Sequence, residues 1–239
     1  MWTVYRRELA QYFTSPVAYT IAAAFFLLTG LLFTSDLTLA VTVRAPDAAL
    51  VPLYLSFFMI FFAPVLTMRM LAEETREGTL ELLLTAPVSD AAIVLGKFFA
   101  AWTFYSLLLG ATLVYQVILI LIQASPDLSH AISAYIGIWL YGGATLAVGL
   151  FFSATTENQI LAAFLSIAAL TMLWLGDLAG EIVANIELAR VIRQLSLQGH
   201  FSSSFAAGLL RAEDVAYFAG IIVIMLFVTI RAVAARRLQ

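Results

Sequence analysis

Hydrophobic positions run along this chain in six long blocks, and the shorter segments between them carry most of the charge. A helix needs roughly 20 mostly apolar residues to cross about 30 Å of hydrocarbon, and each block comes close to that length or exceeds it. The pattern therefore predicts six membrane-spanning helices. They are expected at residues 17–35, 51–70, 92–122, 132–154, 160–176 and 215–233.

The third block is too long for a single crossing. We therefore expect its first turns, Ala91 to Lys97, to lie at the membrane interface, with Ser89 and Asp90 capping the helix start. Lys97 is the one charged residue of the block, and its long side chain is expected to snorkel its ammonium to water. On this interpretation Lys97 positions the start of the span, and a Lys97→Ala change should perturb function only mildly.

Composition supports a membrane protein. Of the 239 residues, 63% are hydrophobic and 11% are charged, whereas a soluble domain has about 25% charged residues. The chain has no cysteine and only two histidines, which excludes disulfides and thiolate metal sites, and we expect no metal site.

The positions of the basic residues favour one orientation, because Lys and Arg are enriched in cytoplasmic connections. With the N-terminus in the cytoplasm, eight of the 12 basic residues fall on the inner side. Six spans then return the C-terminus to the same side. We therefore predict a multi-pass protein with both termini in the cytoplasm.

Residues 1–15, MWTVYRRELAQYFTS, mix aromatic side chains with charged ones. This mixture is typical of a short amphipathic helix that lies at the headgroup level before the first span. Tyr5, Arg6, Arg7 and Glu8 are its most characteristic residues. The residues alone leave open whether this helix is a membrane anchor or a surface for a partner protein.

Residues 177–214 lie on the outer side, and as one helix their apolar side chains would fall into two separate sectors. We therefore expect two short helices, broken near Glu187 to Arg190, that dip back into the outer leaflet and are followed by a turn at Gly199 to Ser204. His200 lies close to Ser202, but nearness in sequence is not catalytic geometry. We interpret His200 as a capping or turn-stabilising residue.

The segment at residues 73–90, EETREGTLELLLTAPVSD, joins spans two and three on the cytoplasmic side. Glu73 to Glu77 is interpreted as a polar turn, and Gly78 permits a sharp change of direction. Thr79 to Leu84 is expected to form a short helix crowded with leucines, which Pro87 ends. Either the membrane interface or a soluble partner must cover these leucines, and the residues alone leave both open.

Motifs of known chemistry are missing from the sequence. It contains no G-x-x-x-x-G-K-[ST] loop, no H-E-x-x-H and no G-x-S-x-G, so we expect neither an enzyme nor a cofactor in this chain. The spans place no acidic residue or histidine near their centres, which counts against an ion-coupled carrier. Polar side chains such as Tyr105 and Tyr141 either line a path for an uncharged or amphiphilic substrate or form hydrogen bonds between helices.

Four stretches resemble one known family. EETREGTLELLLTAPVSDAAIVLGKF at residues 73–98 is similar to the cytoplasmic signature of ABC-2 type transporter permeases. RRELAQYFTSPVAY at 6–19, FFSATTENQILAAF at 151–164 and LSLQGHFSSSFAAGLLRAEDVAYF at 195–218 resemble the same family. Together they are most similar to the permeases grouped with the gliding-motility subunit GldF, which also occur outside gliding bacteria.

The resemblance implies an all-α integral membrane fold of six transmembrane helices, one ABC-2 domain over residues 1–239, in the bacterial plasma (inner) membrane. It also implies that Glu77 to Val88 is a coupling helix that docks into a groove of a separate cytoplasmic ATPase. The residues that it assigns to this contact are Glu77, Gly78, Thr79, Leu80, Glu81, Leu82, Leu83, Leu84, Thr85 and Pro87. Residues 1–14 would approach the same ATPase, and the external segment, with His200 and Phe201, would close the outer mouth.

By the same resemblance, two permeases and two ATPases form an ATP-driven exporter, with a homodimer of permeases expected and a heterodimer as the alternative. ATP and Mg would be bound by the ATPase and no cofactor by this chain. An extracytoplasmic accessory protein is a further expected partner, the bilayer surrounds the complex, and no nucleic acid is involved. The alternative function is a non-transporting membrane scaffold for an envelope or gliding-motility assembly.

Overall fold

The computed structural model describes residues 1–40, 47–79, 88–122, 127–183 and 185–236, and these residues form helices without any β-strand. Six helical stretches are long and apolar enough to cross a membrane. They are Pro16–Leu39, Leu50–Arg76, Asp90–Leu121, Leu128–Thr155, Gln159–Gly180 and Ala212–Arg236. Each coincides with one predicted block, so the prediction of six spans is confirmed.

The helices are numbered here in chain order. They are α1 (Trp2–Thr14), α2 (Pro16–Ala40), α3 (Leu50–Thr67), α4 (Ala72–Arg76), α5 (Asp90–Ala111), α6 (Val114–Leu121), α7 (Leu128–Thr155), α8 (Gln159–Ile182), α9 (Ile186–Gln194), α10 (Leu197–Ser202) and α11 (Ala212–Arg236), with a 3₁₀ turn at Phe205–Ala207.

The third span is interrupted between α5 and α6, a feature that hydropathy did not predict. At the interruption the Thr112 hydroxyl donates to the Leu109 carbonyl (2.7 Å), and the Tyr135 hydroxyl donates to the Thr112 carbonyl (3.2 Å). These bonds satisfy polar groups that a break in a membrane helix would otherwise leave without partners.

Helix α7 lies at the centre of the bundle. Its most apolar stretch is 72% buried, compared with 22% for the corresponding stretches of α2 and α8, and it packs against α3, α5, α8 and α11. The missing side chain of Gly142 leaves room for the ring of Tyr105, whose hydroxyl donates to the Ile138 carbonyl at 2.8 Å. Here a polar side chain in a span forms a hydrogen bond between helices.

Ser153, near the end of α7, fastens the fourth span to the end of the second. Its hydroxyl accepts from the backbone N–H groups of Leu71 (3.0 Å) and Ala72 (3.1 Å) and donates to the Met68 carbonyl (3.0 Å). Because successive spans run in opposite directions, α1, the start of α5 and the end of α11 lie at this same end of the bundle. We call it the Lys97 end, and the opposite end the His200 end.

The predicted break near Glu187 to Arg190 is wrong, because α9 runs through these residues. The chain breaks just before it instead, where the Asn185 side chain accepts from the N–H groups of Glu187 (3.1 Å) and Leu188 (3.2 Å) and so caps α9. Ser196 caps α10 in the same way, accepting from the N–H of Gly199 at 3.0 Å. Cap residues, rather than apolar periodicity, set these boundaries.

The predicted turn at Gly199 to Ser204 is also wrong over most of its length, because α10 continues to Ser202. The chain leaves the helix only at Ser203 and Ser204, directly before the 3₁₀ turn. A second change of direction follows at Gly208, whose φ of 81° lies in the left-handed region that favours glycine.

Candidate functional site

The segment that follows α4 begins with a sharp change of direction. The predicted polar turn at Glu73 to Glu77 is largely the short helix α4, with Glu77 at its C-terminal cap. Gly78 has a φ of 70°, in the left-handed region, and the Thr79 hydroxyl donates to the Glu74 carbonyl at 3.3 Å. The remaining predicted coupling residues, Leu80, Glu81, Leu82, Leu83, Leu84, Thr85 and Pro87, lie outside the described residues.

The described chain resumes at the start of the third span. The Ser89 hydroxyl accepts from the N–H of Ala92 at 3.2 Å, with Ser89 in an extended backbone conformation. Asp90 lies in the first turn of α5, where a carboxylate is favoured by the positive end of the helix. The predicted cap of this span is therefore confirmed.

Lys97 is almost completely buried, with 1% of its side chain exposed. Its ammonium nitrogen lies 3.1 Å from Oε1 of Glu8 and 2.9 Å from Oε1 of Glu74. The prediction that this ammonium snorkels to water is wrong, because two carboxylates from other elements reach it inside the protein. A buried charge persists only when it is paired in this way.

Arg7 completes the arrangement. Its Nη2 lies 2.6 Å from Oε1 of Glu8 and 3.0 Å from Oε1 of Glu74, so two basic side chains share two carboxylates and their charges balance. Burial acts to lower the pKa of Arg7, but the hydrogen bonds and charges of Glu8 and Glu74 outweigh it and raise that pKa above its ordinary value. We call Arg7, Glu8, Glu74 and Lys97 the charge cluster.

The charge cluster joins α1, α4 and α5. Close packing between α1 and α5 supports it, because Val4 lies directly against Gly96, where an added Cβ would come within 2.9 Å of the valine side chain. Farther along the same contact, the hydroxyl oxygens of Tyr5 and Thr103 are 3.2 Å apart. Helix α1 is thus held on the side of the third span.

Tyr12 ties α1 to the second span as well. Its hydroxyl donates to the Leu66 carbonyl at 3.0 Å, and its ring stacks on Phe104 at a centroid distance of 4.8 Å. Burial, followed by the nearby charge of Glu8, raises the pKa of Tyr12 above its ordinary value, so it stays a neutral donor. Arg6, by contrast, is exposed.

At the other end, His200 joins α10 to its neighbours. Its Nδ1 lies 2.6 Å from Oδ1 of Asp214, and its Nε2 lies 3.1 Å from the Gln194 carbonyl. The imidazole stacks on the ring of Tyr217 with centroids 3.8 Å apart. These contacts join α10 to the end of α9 and the start of α11, as expected of a structural histidine.

The contacts of Phe201 and Ser203, which follow His200 in the chain, also indicate a structural role. Phe201 is fully buried and meets Tyr141 edge to face, with ring centroids 5.9 Å apart. The Ser203 hydroxyl donates to the Gly199 carbonyl at 2.6 Å. This hydrogen bond lies within the helix and does not involve the imidazole.

Sequence reasoning missed the convergence of Glu8, Glu74 and Lys97. One signal was present, because an isolated ionisable residue within an apolar block implies a partner charge. The two partners come from segments 89 residues and 23 residues before Lys97 in the chain, and apolar periodicity carries no information about such distant pairs.

Comparison with known protein families gives one match. The family model described as ABC-2 family transporter protein matches residues 47–230, which is most of the chain. The matched region begins before α3 and ends within α11, so it includes Glu74 and Lys97 but not α1. No curated protein matches the chain.

Proposed function

Because the chain belongs to the ABC-2 family of transporter membrane proteins, we propose that it is the permease subunit of an ATP-driven exporter. Permeases of this family generally pair with an ATPase. In the proposed complex the ATPase is a separate cytoplasmic subunit that binds ATP and Mg, and this chain converts its motion into opening of a path.

The charge cluster is the observation that supports this proposal. Glu74 lies three residues before Glu77, the first residue of the proposed coupling segment, and its carboxylate contacts the ammonium of Lys97 in the third span. A push on the segment would therefore reach α5 directly through the ion pair between Glu74 and Lys97.

Helix α1 takes part in the same transmission. It contributes Arg7 and Glu8 to the charge cluster, and it packs along α5. Motion of the ATPase would bias the bundle between two arrangements, inward-facing and outward-facing, with α1, α4 and the start of α5 moving as one unit.

The finer features of the proposal follow from the family resemblance. The subunit would be GldF-like, would lie in a bacterial plasma membrane with both termini cytoplasmic, and would work as a homodimer or heterodimer, with an extracytoplasmic accessory protein as a further partner. The external segment at residues 177–214, with His200 and Phe201, would close the outer mouth of the path.

Purification of the assembled complex tests the docking step. Changing Leu80, Leu83 and Leu84 together to Asp should abolish both retention of the ATPase and ATP hydrolysis in the purified sample, because charged side chains would have to enter an apolar groove. The matched control changes Leu188 and Val191, exposed leucine and valine at the His200 end, to Asp. An intact complex in the triple variant would refute docking through these leucines.

Transport is tested separately, because a scaffold would also bind an ATPase. Inside-out membrane vesicles are incubated with cell extract, with and without ATP, and their contents are compared by mass spectrometry. Accumulation of a compound that needs both ATP and the unaltered leucines supports an exporter. Vesicle contents that do not respond to ATP favour the scaffold.

A further inference from the structure

A cavity of about 510 Å³ opens beside the charge cluster, between α1, α2 and the end of α3. Its two walls differ in character. The apolar wall comes from the first and second spans and includes Val17, Ala18, Ile21, Val65 and Leu66. The charged wall consists of Arg7, Glu8, Arg69, Glu73, Glu74, Glu77 and Lys97.

The charged wall has one carboxylate more than it has basic side chains. Glu8 and Glu74 are balanced within the charge cluster, and Glu73 pairs with Arg69, whose Nε lies 2.9 Å from Oε2 of Glu73. Glu77 is the remaining carboxylate of the wall; it is exposed, its charge acts on Arg69, and its chain neighbour Arg76 lies outside the cavity lining. In addition, Oε2 of Glu74 is buried and accepts no hydrogen bond within the described part of the chain. The cavity therefore offers a place for one more positive group that donates hydrogen bonds.

The cavity lies at the depth of the lipid headgroups. Helix α2 begins at Pro16 and α3 ends at Thr67, which places the apolar wall where the first two spans would enter the hydrocarbon. Val17 is 39% exposed, and farther along α2 the side chains of Leu27 and Leu31 are exposed by more than half. The apolar wall is thus continuous with the lipid-facing surface of the first span.

We propose that this cavity binds a phospholipid of the bilayer whose headgroup carries a primary ammonium. The ammonium donates to Glu77 and to Oε2 of Glu74, while the phosphate is compatible with Nη1 of Arg69, since Glu73 engages Nε and Nη2 of that guanidinium. The glycerol and first methylenes lie on the apolar wall. A choline headgroup has the charge but no N–H donor, and a glycerol headgroup leaves the lipid with a net negative charge that the acidic wall repels.

Native mass spectrometry of the full-length protein tests the proposal. The protein is exchanged from mild detergent into mixed micelles with equal amounts of phosphatidylethanolamine, phosphatidylcholine and phosphatidylglycerol. We expect phosphatidylethanolamine to be retained about tenfold more than phosphatidylglycerol, because one charge-assisted hydrogen bond corresponds to a factor of that order. Phosphatidylcholine should fall between the two.

Two variants with matched controls locate the site. Val17→Trp should fill the apolar wall and reduce retention of phosphatidylethanolamine about tenfold, whereas Leu27→Trp, on the lipid-facing surface of the same helix, should leave it unchanged. Glu77→Gln should reduce the preference for phosphatidylethanolamine over phosphatidylglycerol, because it removes one negative charge from the acidic wall, and Glu157→Gln, at an exposed glutamate outside the cavity, should preserve it.

Equal retention of the three lipids would overturn the proposal, and so would a Val17→Trp variant that retains as much phosphatidylethanolamine as the unaltered protein. Both measurements use this chain alone, without ATPase or ATP. A failure of the exporter proposal therefore leaves the lipid measurement intact, and loss of lipid selectivity leaves the ATPase-docking test intact.

Discussion

At the Lys97 end, four charged side chains from three helices meet around the buried ammonium of Lys97, whereas at the His200 end one histidine and one carboxylate join α10 to α11. The two ends also differ in how exposed their charged side chains are. Lys97 and Glu8 have side chains 1% and 6% exposed, while the imidazole of His200 is 22% exposed. Water can therefore replace part of the His200 contacts when they break, but not those of Lys97.

This difference in exposure indicates which interactions hold each end of the bundle together. A buried ion pair adds little stability over an apolar contact of equal volume, but breaking one of its partners is costly. The charge cluster is thus better suited to fixing the relative positions of α1, α4 and α5 than to stabilising the bundle. The His200 end depends more on apolar packing, since Phe201 and Phe205 are fully buried there.

The largest effect is expected from Lys97→Met. The sequence alone predicts a mild effect at this position. The structure indicates a large one, because Lys97 is buried and its loss leaves Glu8 and Glu74 with Arg7 as their only partner in the charge cluster. Unfolding in detergent should show a loss of about 4 kcal/mol, typical of an unpaired buried charge. The control is Arg231→Met, at an exposed arginine of α11 whose guanidinium lies over the ring of Phe227, which should lose about 1 kcal/mol or less.

A second change distinguishes charge from packing at this site. Adding Glu8→Gln to Lys97→Met leaves one carboxylate and one guanidinium, so the charges balance again. The double variant should regain a substantial part of the lost stability. If the double variant is less stable than Lys97→Met alone, the buried charge balance is not what holds α1 to α5.

His200→Ala should have the next largest effect, because it removes both imidazole hydrogen bonds and leaves the carboxylate of Asp214 buried without its partner. We expect a loss of about 3 kcal/mol in the same unfolding measurement. Ser203→Ala removes only a hydroxyl that bonds within its own helix, and it serves as the control. A His200 variant as stable as the control would mean that the two ends differ more than the structure indicates.

The number and order of the spans could be predicted from sequence because hydrocarbon thickness sets a minimum apolar length, and each of the six blocks meets it. The start of α5 could also be predicted, since Ser89 is a favoured cap residue. The same rule applied to Asn185 and Ser196 would have placed α9 and α10 correctly. Apolar periodicity, which predicts the break at Glu187 to Arg190, does not mark helix ends.

The environment of Lys97 could not be predicted in the same way. A lysine near the end of an apolar block either reaches water or finds a carboxylate, and both outcomes satisfy its charge. The choice depends on whether α1 folds back along α5, which brings Glu8 to the ammonium. That contact depends on close packing at Gly96, a tertiary feature with no local pattern.

Gly137→Ala tests the importance of apolar packing at the His200 end. An added Cβ would overlap Cβ and Cγ at the base of the Phe205 side chain, which is fully buried, so rotation of the ring alone would not relieve the overlap. We expect a loss of about 2 kcal/mol from overpacking, measured by unfolding in detergent. Gly220→Ala in α11 is the matched control, because an added Cβ there meets nothing within 4 Å. Equal stability of the two variants would contradict a tightly packed His200 end.

The smallest effect is expected from Asn185→Ala, which removes the cap of α9. The Asn185 side chain accepts two backbone hydrogen bonds, and losing such a cap costs about 1 kcal/mol. Helix α9 has no buried residue, so the loss should appear as faster hydrogen exchange in α9 with no change in the unfolding of the bundle.

The matched control is Asn158→Ala, which removes the equivalent cap of α8 at the Lys97 end. Both helices pack against neighbours, but Ala162 in the first turn of α8 is fully buried, so we expect that turn to be held by packing. Exchange that rises equally in both variants would show that the two ends do not differ in how far their helices depend on local caps.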